Sequence, residues 1–247
     1  MNDHIFKTYD EELNKLTNTI VAMGGMAESQ LADTINAVVK RDTSLASEVI
    51  ANDARVDQLE TEVEAQSLRL LALRQPMARD LREIVASLKI ATDLERICDY
   101  AANIAKRSMA LAQAPIARPA QSLPRMARLA QAQIKNVLDA YVERDADKAL
   151  QVWESDEELD ELYTSLFREL LTYMMEDPRF ITSGTHLLFM AKNIERIGDH
   201  ATNIAETIHF LIHGTAPEGL RSKRDRSSTS VVLPGPQGVV MSENGTP

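Results

Sequence analysis

Apolar residues recur along this chain at helical spacing. Leu45, Val49, Val56, Leu59, Val63 and Leu70 fall within about 80° of one another when successive residues advance by about 100°, which makes one stripe of an amphipathic helix. Val152, Leu159, Leu162, Leu166 and Leu170 do the same in the second half. Helix breakers divide these stretches. Pro76 and Pro178 each cut one half, Pro115, Pro119 and Pro124 separate the halves, and the turn-like pairs Arg41-Asp42 and Arg144-Asp145 recur at an offset of 103 residues. The pattern predicts six long helices, at roughly 3–40, 43–74, 77–112, 122–143, 146–175 and 179–213. Each amphipathic stripe needs facing helices, and two antiparallel three-helix bundles are the simplest all-α answer. The expected divisions are 1–112, a linker at 113–123, 124–214, and a Gly, Ser and Pro-enriched tail at 215–247 that reads as disordered. Gly24-Gly25 predicts a bend or weak point in the first helix.

Composition agrees with long helices, since 247 residues carry only nine glycines, nine prolines and eleven aromatics. A net charge of −10 disfavours nucleic-acid binding, which needs clustered Lys and Arg. A small basic cluster, Arg221, Lys223, Arg224 and Arg226, lies in the tail and reads as a solvated linker, with a weak contact site for an acidic partner as the alternative. The single cysteine, Cys98, excludes an intrachain disulfide and a Cys-rich zinc site. Gly198 stands at its place in the repeat, so a small buried residue is expected there and not a catalytic thiol. With no run of about 18 apolar residues and no basic-then-apolar leader at the N-terminus, a soluble, cytoplasmic protein is expected.

The chemistry sits in an internal repeat. Residues 93–105, Asp-Leu-Glu-Arg-Ile-Cys-Asp-Tyr-Ala-Ala-Asn-Ile-Ala, return 100 residues later as Asn-Ile-Glu-Arg-Ile-Gly-Asp-His-Ala-Thr-Asn-Ile-Ala, with eight of thirteen positions identical. The retained pattern is mostly polar. Glu95, Asp99 and Asn103 share one helix face, as do Glu195, Asp199 and Asn203, because residues four apart lie about 40° apart around the axis. On the sixth helix Leu187, Met190, Ile194, Ile197, Ala201, Ile204 and Ile208 lie roughly opposite, so its carboxylates are expected to point outward. On the third, apolar residues lie on both sides and the buried face stays open.

The second and fifth helices carry matching pairs, Asp53 with Asp57 and Asp156 with Asp160, again 103 apart. Asp53–Asp57 is centred about 20 residues before Pro76 and Glu95–Asp99 about 21 after it, and the counterparts lie about 20 and 19 from Pro178. At about 1.5 Å rise per residue, antiparallel neighbours set these pairs nearly level. Four carboxylates then converge in each half. Uncompensated, such charges repel and raise pKa values, and a cation between them removes the cost. All-oxygen donors suit hard or borderline ions such as Mg²⁺, Mn²⁺ or iron. The candidate metal ligands are Asp53, Asp57, Glu95, Asp99, Asp156, Asp160, Glu195 and Asp199, with Asn103, Asn203, Arg96 and Arg196 in support. The alternative is an acidic solvated face with Arg96 and Arg196 as local partners.

His209 and His213, at i and i+4, also have ligand spacing, but histidines are favoured near a helix C-terminus by its dipole. Glu206-Thr-Ile-His209 is the only Glu-x-x-His, which argues against a ferritin-like oxidase. No phosphate loop, serine nucleophile elbow or zincin motif is present. Nothing in the residues recommends an enzyme.

The paired motifs Asp-Leu-Glu-Arg-Ile-Cys-Asp and Asn-Ile-Glu-Arg-Ile-Gly-Asp, the twofold three-helix layout and the Arg-Gln-Pro-Met-Ala-Arg-Asp-Leu-Arg segment at 74–82 together resemble the PhoU family, the accessory regulators of bacterial high-affinity phosphate transport. The resemblance covers about residues 5–213. It implies six helices in two similar bundles, and metal ions, iron, zinc, magnesium or manganese, at the eight carboxylates named above. It also implies a mechanism of contact and not of catalysis. The expected partners are the ATPase subunit of a phosphate ABC transporter and a sensor histidine kinase, held so that phosphate-starvation genes stay off, and a second copy in a homodimer. The alternatives are a metal-dependent carboxylate-site enzyme and a purely structural helical scaffold. The second half departs from the first in having Arg-Phe-Ile-Thr-Ser-Gly after Pro178, so the two ends are expected to differ in docking.

Overall fold

The computed structural model describes residues 2–74, 76–113 and 121–217, with side chains from residue 11 onward except at 74. The expected linker falls largely outside the described residues, as does the tail from 218 on. Among the described residues are seven α-helices: α1 (Asn2–Lys40), α2 (Thr43–Arg74), α3 (Arg79–Leu111), α4 (Leu123–Glu143), α5 (Ala146–Glu154), α6 (Asp156–Glu176) and α7 (Ile181–His213). The expectation of six helices is right in every element but the fifth, which is interrupted at Ser155. There the Ser155 amide is shared between the carbonyls of Gln151 and Val152 at 3.1 and 3.2 Å, a tightened turn between α5 and α6.

The turns form where the pairs Arg41-Asp42 and Arg144-Asp145 place them. Both arginines adopt the left-handed conformation at φ 56°, ending α1 and α4. Both aspartates then cap the next helix: Asp42 Oδ1 accepts from the amides of Ser44 and Leu45 at 3.0 Å, and Asp145 Oδ1 accepts from Lys148 at 2.9 Å. Such caps satisfy amides that the helix leaves unpaired and are worth about 1 kcal/mol each.

Helices α1, α2 and α3 pack on one another, and α4, α5 and α6 pack around α7. The two bundles lie side by side, joined by α3 against α7 and by α1 against α4. Contacts of Asp93 with Asn203, Tyr100 with Arg196 and Arg107 with Phe189 run in opposite senses along the two helices, so α3 and α7 are antiparallel. One continuous core spans both halves, from Leu16, Ile20 and Ile97 to Leu159, Ile194 and Ile208. Gly24 belongs to this junction. A Cβ there would lie 2.3 Å from Leu138 Cδ2 of α4, so the glycine permits close approach of the bundles, and α1 runs through it as unbroken helix instead of breaking there.

Since α3 touches α1, α2 and α7, it buries residues on most of its circumference. Ile84, Leu94, Ile97, Cys98 and Ile104 are all buried, which accounts for its lack of a single apolar stripe. No helix among the described residues is long and apolar enough to cross a membrane.

Candidate functional site

The repeated motifs lie back to back at the α3–α7 contact. His200 Nδ1 is 2.7 Å from Asp93 Oδ1, Asn203 Nδ2 donates to the same oxygen at 3.4 Å, and Arg196 donates to the Tyr100 hydroxyl at 3.4 Å. Asn203 and Arg196 thereby tie the two repeats together. Their counterparts act within the first repeat: Asn103 Nδ2 donates to Asp99 at 3.2 Å, and Arg96 Nε lies 3.4 Å from Glu95.

In the first bundle Asp53, Asp57, Glu95 and Asp99 come within range of one another's charge without converging on one point. Asp53, Glu95 and Asp99 are half-buried and Asp57 is exposed, on the outer face where α2 meets α3. Burial raises the Asp53 carboxyl above its ordinary value, and the charges of Asp57 and Asp99 push it the same way against Lys106. Burial likewise raises Glu95; Arg96 opposes this, while Glu60, Asp99 and Asp57 add to it. Glu60 is a fifth acidic group that spacing did not single out; it accepts from Thr92 of α3 at 2.8 Å. Behind the cluster, burial pushes the Cys98 thiol up, with Asp53, Glu95 and Asp57 reinforcing it, so this is an inert thiol, as expected.

For Asp53 and Glu95 the sign of the pH dependence follows. Above the ordinary values of 3.8 and 4.5 the folded state holds protons that the unfolded chain has released, so these two groups lower stability as pH rises through that window. Asp53→Asn is therefore expected to raise the melting temperature at pH 7 in chelator and to flatten the loss of stability between mild acid and neutrality. A lower melting temperature in the variant would show that repulsion is not what Asp53 contributes.

The second cluster differs from the expectation of an outward acidic face. Asp156, Asp160 and Glu195 are only 3, 2 and 4% exposed. The break at Ser155 and the missing side chain at Gly198 are the physical reason: a Cβ on Gly198 would stand 2.5 Å from Leu159 Cδ2, 2.9 Å from Gln133 Oε1 and 3.2 Å from Asp156 Oδ1. The first turn of α6 thus presses Asp156 onto α7 at Gly198. Gln133 Nε2 donates to Asp156 at 3.3 Å, and Lys192 Nζ donates to Glu195 at 2.8 Å while lying 4.9 Å from the Tyr163 ring. Spacing missed Gln133 and Lys192. A signal existed for the first, because Gln30 precedes it by the same 103 residues and is also 4% exposed.

The donors are the oxygens that a hard cation takes, yet among the described residues no three His, Cys, Asp or Glu side chains are drawn together closely enough to hold one. Arg96, Asn103, Lys192 and Gln133 occupy carboxylate oxygens instead. The His209 and His213 rings lie tilted at 47° with 4.6 Å between centroids, and His209 Nδ1 faces the Thr215 carbonyl at 2.9 Å.

With this geometry in place, comparison with known proteins is decisive for kinship. The PhoU domain model matches residues 20–108 and again 123–208, one match per bundle. The phosphate-specific transport system accessory protein PhoU homolog of Caulobacter vibrioides is 54% identical over 226 residues, 91% of this chain and 98% of that protein. The homolog from Rhizobium meliloti is 54% identical over 227 residues, 92% and 96% of the two chains. The crystal structure of PhoU from Pseudomonas aeruginosa superposes with a TM-score of 0.82 at 38% identity, covering 84% of this chain and all of that one. Two tandem matches to one domain model, near-complete coverage and a shared fold leave a single conclusion: the chain belongs to the PhoU family.

Proposed function

We propose that this protein is an accessory regulator of phosphate uptake that works at the cytoplasmic face of the membrane and keeps phosphate-starvation genes off when phosphate is plentiful. The observation that carries this reading is the end-to-end similarity to phosphate-specific transport accessory proteins, with both repeats matched. Its action is contact. The partners are the ATPase subunit of the phosphate ABC transporter and the sensor histidine kinase of the response, with a second copy of the chain forming a homodimer. Leu68, Leu73 and Met77 at the α2–α3 end are 64, 67 and 81% exposed and are available for apolar contact with a partner.

The acidic clusters are assigned to metal ions. Asp53, Asp57, Glu95 and Asp99 would hold them in one bundle and Asp156, Asp160, Glu195 and Asp199 in the other, with iron, zinc, magnesium or manganese as the candidates. Support comes from the burial that raises Asp53 and Glu95 and from the neighbouring carboxylates that add to it, a repulsion that a bound cation would relieve. Binding requires Arg96, Lys192 and the glutamine and asparagine partners to yield their oxygens. A cation held in the first cluster reverses the effect predicted above: Asp53→Asn, stabilising in chelator, becomes destabilising relative to the parent protein in millimolar Mg²⁺ or Mn²⁺. The parent gains about 2.7 kcal/mol when the free ion is at 100 times its Kd. A melting temperature indifferent to every one of the four ions would refute the metal assignment.

The burial of Asp156, Asp160 and Glu195 is the one observation that favours a second reading, a carboxylate-site enzyme. Gene control separates the two. In cells of the source organism grown in high phosphate, Glu195→Ala with Asp199→Ala is expected to switch phosphate-starvation genes on, and affinity capture is expected to recover the transporter ATPase or the kinase in amounts that change with phosphate. Intact repression after removal of all eight carboxylates would sink the site assignment, and capture of neither partner would sink the regulatory reading.

A further inference from the structure

A second site lies away from the acidic clusters, at the end of the molecule where the start of α3, the α4–α5 turn and the end of α7 meet. A cleft of about 370 Å³ opens there, lined by Arg79, Arg82, Glu83, Arg144, Leu211 and Ile212. In a chain of net charge −10, three guanidiniums around one cleft are a local reversal of sign. Two of the three are held by their neighbours. Arg144 is held by the left-handed turn that ends α4, pairs with Glu83 and stacks 5.2 Å from the Tyr141 ring. Arg82 lies against the end of α7, its Nη1 3.3 Å from where a Cβ on Gly214 would be, and its Nε is buried without a hydrogen-bond partner.

The charges can be summed. Arg144 and Glu83 cancel, which leaves Arg79 and Arg82, so the cleft presents two positive charges. A phosphate group carries between −1.5 and −2 charges near neutrality, because its second pKa is about 6, and its oxygens match the forked donors of guanidinium. Asp80 in the first turn of α3 offsets the positive end of that helix, so the guanidiniums supply the charge. The volume is at the lower end of the range for small-molecule sites, about 300–1,000 Å³, and Leu211 and Ile212 give it an apolar wall.

We propose that this cleft binds a dianionic phosphate group, as free inorganic phosphate or as the head of a phosphomonoester, with Arg79 and Arg82 neutralising it and the Arg144–Glu83 pair bracing the wall. The proposal deepens the regulatory reading, to which it would add a direct means of registering phosphate, but its geometry does not depend on it. Repression and binding are measured separately, so either can fail alone.

The test is calorimetric titration of the full chain, metal-free, with inorganic phosphate, with adenosine monophosphate and with sulfate. One saturable site for phosphate or for the monoester is expected, weakening as salt rises. Arg79→Gln and Arg82→Lys should each weaken it about 10-fold or more, the scale of losing a charged hydrogen bond. Arg79 is exposed, so its variant folds, and Arg82→Lys keeps the charge and the packed stem while losing the fork. Arg125→Gln, on α4 where it pairs with Glu158, should leave binding unchanged. Tighter binding of the monoester assigns the cleft to an ester, and equal or tighter binding of phosphate assigns it to the free ion. Absence of saturable binding by both, sulfate binding as tight as phosphate, or affinities that survive both cleft variants, would overturn the proposal.

Discussion

Gly198→Leu is expected to destabilise the protein by about 2–4 kcal/mol and to disorganise the second acidic cluster. Three terms set the sign. Removing a glycine from a helix interior gains up to about 1 kcal/mol. Against this, the new side chain must displace Leu159, which is fully buried and has no solvent to swing into; overpacking of that kind costs about 1–3 kcal/mol, occasionally more. It also drives apart Gln133 and Asp156, forfeiting a hydrogen bond to a buried carboxylate worth about 1.5–3 kcal/mol. The losses exceed the gain. Gly25→Ala is the control, because a Cβ there meets nothing within 4 Å and the change should stabilise by about 0.5–1 kcal/mol. Urea midpoints at constant m-value measure both. A neutral Gly198→Leu would mean that α6 can retreat from α7 at little cost, and that the buried position of Asp156 is not enforced by the glycine.

The second large effect concerns cooperativity. Ile97→Ala and Ile197→Ala remove fully buried side chains at corresponding places in the two repeats, and each should cost about 2–5 kcal/mol through lost transfer energy and the cavity left behind. Because both isoleucines belong to one core that crosses the α3–α7 contact, each variant should still unfold in a single transition. Calorimetry distinguishes the outcomes. Two separated transitions, with only the mutated half shifted, would show that the repeats are independent domains and that the contact around Asp93, Tyr100, Arg196 and His200 contributes little to stability.

That contact also explains why one motif serves two ends. Residues shared by the repeats divide their labour once the halves are packed: Asn103 stays beside Asp99, whereas Asn203 reaches across to Asp93. Similar sequence on two antiparallel helices does not give equal environments, since the neighbours of α3 and α7 differ.

Local chemistry was legible in the chain. The prolines and the pairs Arg41-Asp42 and Arg144-Asp145 announced the turns, and the stripe on residues 45–70 announced the face that α2 buries, all because these depend on residues a few positions apart. That the first four carboxylates would stand within reach of one another's charge was legible too, since helical rise and turn position fix their height, but their spacing around the helices was not. What the sequence could not decide was which way a polar face looks once a helix has neighbours on several sides. The opposition of Glu195 to an apolar stripe predicted exposure, but α7 is surrounded by α3, α4, α5 and α6, and the second acidic cluster became buried. The room left by Gly198 and the gathering of Arg79, Arg82 and Arg144 at one end likewise arise from contacts between residues tens to more than a hundred positions apart. Periodicity reports the angle at which a side chain leaves its helix, and only the packed structure determines what stands at that angle.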